Sequence, residues 1–194
     1  MKRNLAIAAL ALLAAGCASP SPPASLYRLS ALPPQAGSAE PLRIMVERPE
    51  APASLDTQRM ALARCNLDFD YFAGVEWIDA APSMIQRLLI ESLDGMDGVI
   101  AVDASSMSAA IDRSLKTDLR AFQAEYAAKD QLPAAHVQVN AKIISPKTLE
   151  IVASRTFDAR IPASANSQRA IVEAFDAALG QVMAQIRSFA LSPE

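Results

Sequence analysis

Few residues in this chain are of a type that does chemistry. Among its 194 residues there is one histidine, His136, and there are two cysteines, Cys17 and Cys65. A nucleophilic enzyme needs a nucleophile, a base and a group that orients the base. Here the only imidazole stands at the head of an alternating segment, where it is expected to face solvent. The six glycines form no phosphate-cradling loop and no G-x-S-x-G turn. Asp68 and Asp70 fall on one strand face and could approach Ca²⁺. The dense oxygen cage of a calcium loop is missing around them, so they read as exposed charge. Asp94 and Asp97 flank Gly95 and Gly98 and read as turn residues. With so few His and Cys, neither a zinc nor a haem site is expected, and no metal ligands are assigned. The reading is of a non-enzyme that uses no cofactor beyond a covalent lipid on Cys17. Lys and Arg total 18 against 21 Asp and Glu, with no basic stripe, so nucleic acid is not an expected partner.

Cys17 does have a chemistry, set by what precedes it. Lys2 and Arg3 are followed by an apolar run from Leu5 to Ala15, too short to span a bilayer and of the form of an export signal. Leu13-Ala14-Ala15-Gly16-Cys17 resembles the lipobox of bacterial lipoproteins, although Ala14 stands where a leucine is commoner. In that class the thiol takes a diacylglycerol, cleavage falls just before the cysteine and the new amine is acylated. Two or three acyl chains make an effectively permanent anchor, at about 0.8 kcal/mol per buried methylene. The organisation read from this is a signal peptide at 1–16, a lipidated Ser/Pro-rich tether at 17–25 and a periplasmic domain at 26–194. Ala18 after the cysteine, by the same resemblance, favours the outer membrane. With Cys17 acylated, Cys65 has no partner in the chain and is expected to be a buried, inert thiol.

The elements that position the remaining residues follow from periodicity. Leu26–Leu29 and Leu42–Glu47 alternate as strands, the second ended by Pro49. Segments 58–64 and 67–72 flank Cys65-Asn66, which predicts a hairpin. Ile85, Leu88, Leu89 and Leu93 line one face of a helix that starts near Asp79 and Pro82 and stops at Gly95. Val99–Val102 reads as a short strand, and 103–114 as loop or short helix. Segment 115–126 alternates and then shifts phase, as a bulged strand would, with a helix as the competing reading. Segments 136–144 and 149–161 read as a second hairpin. Asn166 to Leu191 carries the longest stripe (Ile171, Val172, Phe175, Leu179, Val182, Met183 and Ile186), which predicts a core helix capped by Asn166 or Ser167.

Several short stretches together resemble the ABC-type transport auxiliary lipoprotein family. They are L-Y-R-L with Tyr27 and Leu29, R-I-M-V-E-R-P with Val46 and Pro49, and the segment holding Asp56 and Arg59. Y-F-A-G-V-E-W-I-D-A-A-P with Tyr71, Trp77 and Pro82 follows, then 115–122 with Leu115, Leu119 and Phe122. The resemblance implies a single α+β domain, a mixed or antiparallel sheet with two main helices packed on one face, after the lipoprotein signal and short tether. It implies a non-enzymatic part in intermembrane lipid transport at the periplasmic face of the outer membrane. The implied partner is the substrate-binding protein of the transporter, which carries a mammalian-cell-entry domain, and a homo-oligomeric ring is one form of assembly it suggests. An assembly or scaffolding lipoprotein, or a periplasmic lipid carrier with its own pocket, are the alternatives. Phe69, Tyr71, Phe72 and Trp77 cluster in sequence; most are expected in the core, with one or two projecting as the partner contact.

Overall fold

In the computed structural model, residues 24–38, 40–65, 68–106, 110–128 and 131–192 are described. Cys17, the signal and nearly all of the tether lie outside them. The strands are β1 (Ser25–Tyr27), β2 (Leu42–Val46), β3 (Arg59–Arg64), β4 (Asp68–Trp77), β5 (Val99–Val102), β6 (Arg113–Tyr126), β7 (Ala134–Ile144) and β8 (Ile151–Pro162). The helices are α1 (Ala81–Asp94) and α2 (Gln168–Leu191). A single 3-10 turn, Ala104–Ser106, is all the regular structure described between β5 and β6.

β6 is the spine of an eight-stranded mixed sheet. Along one edge it pairs antiparallel with β7, which pairs antiparallel with β8. The other edge is shared. β2 takes its first residues in parallel (Val46 opposite Leu115), and β3 takes its last (Leu62 opposite Ala124). β5 lies beyond β2, while β4 and then β1 lie beyond β3, so the sheet forks on that side.

Both helices lie on one face. In β7, Ala135, Val137, Val139, Ala141 and Ile143 are buried toward them, as strict alternation requires. The ladder of β6 shifts between Leu119 and Ala121. That bulge carries Phe122 and Ala124 to the same face as Leu115 and Leu119, so the phase shift in the sequence is a bulged strand and not a helix. Pro82 occupies the first turn of α1, where a missing N–H costs nothing. Asp79 does not cap that helix. Its N-cap is Ala80, and Asp79 instead pairs with Arg87 at 3.1 Å. Ser167 caps α2 by accepting from the Ala170 amide. The core centres on Trp77, Phe122 and Phe175, three rings from β4, β6 and α2 with centroids 5.0 to 5.4 Å apart. Segment 28–35 crosses the helices, held by Asp176, Ser92 and Arg187 to the backbone of Ser30, Leu32 and Pro33.

Candidate docking face

The helices leave the other face of the sheet open. Its character is set by the β3–β4 hairpin. Cys65 takes a left-handed turn conformation (φ 51°) after β3 and is exposed, so the expectation of a buried thiol is corrected: a side chain at a hairpin tip has no core to enter. Beyond the turn, β4 begins with Phe69 and Tyr71, which share a face because they are two residues apart. Their rings meet edge-on at 5.6 Å. The Arg59 guanidinium lies 3.7 Å above the Tyr71 ring, and the phenol donates to the Ser54 carbonyl at 3.0 Å. Phe69 is 44% exposed.

By alternation alone, Phe69, Tyr71, Val75 and Trp77 would all share that face. They do not. The pairing of β4 with β3 slips between Arg59 and Ala61, so that four residues, Phe72 to Val75, oppose Met60. Gly74 supplies the positive φ (65°) the bulge needs, and a Cβ there would meet open space. The bulge turns Val75 and Trp77 to the helix side. Trp77 is fully buried and Phe72 is half-buried against the core. Trp77 therefore cannot serve as a partner contact, and of the four aromatic candidates Phe69 is the exposed one, with Tyr71 beside it half-buried against the core.

The rows of the sheet extend from that pair to a polar cluster. Tyr71 stands opposite Ala61, Ala61 opposite Gln123, Gln123 opposite His136 and His136 opposite Arg160. His136 is on the face expected to meet solvent, yet it is only 5% exposed. Its Nδ1 is 2.5 Å from Glu125 Oε1 and its Nε2 is 2.9 Å from Asp158 Oδ2. Arg160 closes the cluster at 3.3 Å from Glu125 and 2.8 Å from Asp158. Arg160 Nη2 also approaches Nδ1 at 3.3 Å, but the carboxylate contact is much shorter and dominates. The ring satisfies both carboxylates only when both nitrogens carry hydrogen. Burial pushes the Glu125 carboxyl up; hydrogen bonding and the charge of His136, with Arg160 and Gln123, outweigh it and hold the group below its ordinary value. Asp158 behaves alike, with burial again opposed by His136, Gln138 and Arg160. This arrangement holds no nucleophile and ties three strands together.

Comparison with known proteins agrees with this architecture. Residues 27–187 match the family of ABC-type transport auxiliary lipoprotein components. The chain belongs to that family. It is therefore an auxiliary lipoprotein of ABC-type transport, anchored to a membrane of the cell envelope, and no enzymatic family enters the comparison. A crystal structure of a protein from Xanthomonas campestris is 25% identical, with a TM-score of 0.77 over 87% of this chain and 95% of that one. A second crystal structure, of an uncharacterized protein, shares the fold at 14% identity, with a TM-score of 0.69 over 86% and 98% of the two chains. An uncharacterized protein of Bradyrhizobium diazoefficiens is 30% identical over 143 residues, 74% of this chain. The matched segment spans 38% of that relative. The α+β class, the sheet and the pair of helices on one face are as the sequence implied.

Sequence reasoning missed the His136 cluster and the Arg59–Tyr71 stack. A signal for the first was present: Gln123 and Glu125 on one strand, and Asp158 and Arg160 on another, share the period-2 phase of His136.

Proposed function

We propose that this lipoprotein is held at the periplasmic face of the outer membrane by lipid on Cys17 and docks the mammalian-cell-entry-domain protein of an intermembrane lipid transporter. Residues 1–16 would leave as the signal and 17–25 would form the tether. The observation that carries the reading is the exposed Phe69 ring packed edge-on against half-buried Tyr71, with Arg59 stacked on the tyrosine, in a chain of the transport auxiliary family. Rigid aromatics with an arginine are the residue types that dominate protein interfaces. A docking role is favoured over a lipid carrier because Trp77, Phe122 and Phe175 fill the space between sheet and helices where a carrier would hold its acyl chains.

The test pairs two variants. Cys17→Ser should release the protein from the membrane fraction. Phe69→Ala in the lipidated protein should weaken binding of the purified periplasmic domain of the partner at least tenfold while melting as wild type. Wild-type binding by Phe69→Ala removes the aromatic pair from the interface, and failure of the wild type to bind that domain refutes the docking role.

A further inference from the structure

Segment 28–38 forms a strap across the helices, without regular structure apart from a bridge between Gln35 and Met96. Its far end is fixed. The Gln35 and Ser38 amides donate to the Gly95 and Asp97 carbonyls at 3.1 and 2.8 Å, and a Cβ on Gly37 would collide with the Asp97 oxygen. The middle of the strap is held by single side chains instead. The Ser30 amide donates to Asp176 Oδ1 at 2.7 Å and the Leu32 amide to Ser92 Oγ at 2.9 Å. The Pro33 carbonyl accepts from Arg187 Nη1 at 3.0 Å. Leu29 is buried and Leu32 half-buried, while Pro33 and Pro34 are exposed.

The third of these ties is the costly one. Arg187 is only 3% exposed, and its Nε and Nη2 are buried with no hydrogen-bond partner among the described residues. Burial pulls its pKa below the ordinary arginine value, and no carboxylate offsets that. A single carbonyl is a poor counterpart for a guanidinium. Burying a charge without an opposite one is unfavourable, and an apolar side chain of similar volume is commonly more stable in such a place. The two unpartnered atoms also belong together. Nε–H and Nη2–H form the side-on edge of the guanidinium, the fork that takes both oxygens of a carboxylate or a phosphate.

We propose that Arg187 is an oxyanion site stored beneath the strap, and that segment 28–34 lifts so that the free fork can take a group offering two oxygens, as phosphates and carboxylates do. While the strap lies down the fork is enclosed, so the anion binds the open form alone. Such a ligand drives opening by its affinity for that form. Lifting breaks the ties to Asp176, Ser92 and Arg187 and exposes Leu29 and Leu32. Against that loss stand the hydration of a guanidinium left unpaired under cover and two charge-assisted bonds to the anion. The fixed end at Gln35–Ser38 makes the movement a local one. This site goes beyond the docking role and does not rest on it.

Hydrogen exchange of the Ser30 and Leu32 amides tests this, in the lipidated protein held in a phosphate-free nonionic detergent. At matched ionic strength, at least one of acetate, inorganic phosphate and dihexanoyl phosphatidylglycerol should speed both amides about tenfold over chloride. A response to the phospholipid alone names a lipid headgroup as the source, and a response to acetate or inorganic phosphate names a free anion; either supports the site. Arg187→Met removes the buried charge, and should slow the same amides in chloride, melt at a higher temperature and abolish the response to anions. Arg187→Lys keeps a charge without the fork and should lose the response as well. An arginine that merely clamps the strap predicts faster exchange in Arg187→Met, and that result overturns the proposal. So does wild-type exchange that no anion speeds beyond chloride, or a response that survives in Arg187→Lys.

Discussion

Removing the His136 side chain tests whether the cluster on the open face holds the β6–β7–β8 sheet together. His136→Ala deletes two hydrogen bonds to charged groups, each of which contributes about 1.5–3 kcal/mol when fully buried. Two features reduce the sum. The side chains of Glu125 and Asp158 are 25% and 33% exposed, so water screens part of the interaction, and Arg160 still contacts both carboxylates after the deletion. The expected loss is about 2 kcal/mol, or a fall in Tm of roughly 4–8 °C for a domain of this size.

The pH dependence makes the argument specific. Burial alone would raise the Glu125 and Asp158 pKa values; His136 foremost, with Arg160 and neighbouring amides, brings them below the ordinary carboxylate range. A carboxylate with a depressed folded-state pKa contributes stability that is present above its unfolded value, around pH 4, and is lost as pH falls through its folded value. Without His136 the opposing effect of burial remains, and less of that stability exists to lose. Urea unfolding of both proteins from pH 6 down to pH 3 should therefore show a gap of about 2 kcal/mol that narrows steadily with acid. A gap that stays constant across this range, or one below about 0.5 kcal/mol at pH 6, would refute the assignment of the depressed carboxylates to His136.

Two further outcomes are expected. Phe175→Ala removes the ring that α2 contributes to the Trp77–Phe122–Phe175 cluster and should cost about 3–5 kcal/mol in chemical denaturation, as large-to-small changes in aromatic cores do; a loss below about 1.5 kcal/mol would show that the core collapses around the gap. Cys65, exposed at the hairpin tip, should react with a maleimide in the folded protein as fast as in urea, and protection of the thiol would contradict its placement.

The elements were legible where one face of one segment decides the outcome. The stripe from Ile171 to Ile186 could only be a helix, and the alternation from Val137 to Ile143 could only be a strand. What was not legible depends on partners far away in sequence. The sharing of one β6 edge by β2 and β3 leaves no local mark, because parallel pairing joins residues separated by dozens of positions. The burial of His136 has the same origin. Its neighbours Glu125 and Asp158 arrive from two different strands, and only the register of both ladders places a carboxylate at each ring nitrogen. Which of the four aromatics would project was not legible for a third reason, seen at Trp77. Its phase relative to Phe69 and Tyr71 is reversed by a bulge whose one sequence signal is Gly74.

That bulge also explains how one aromatic segment serves two purposes. With the helices on one face, the interior needs Trp77 against Phe122 and Phe175, and a regular strand would then have sent Phe69 and Tyr71 inward as well. The slip opposite Met60 divides the segment, so that residues before it point outward beside Arg59 and residues after it complete the core. Straightening β4 would cost the core a tryptophan or the open face its aromatic pair. The two losses would be separable by experiment only if the bulge were not shared. Gly74→Val is therefore a different perturbation from Phe69→Ala: valine meets open space but not an allowed backbone, and should lower stability by about 1–2 kcal/mol while shifting the near-ultraviolet signal of Trp77. An unchanged tryptophan signal with lost stability would mean that strain at Gly74 stays local and that the bulge does not set the phase of β4.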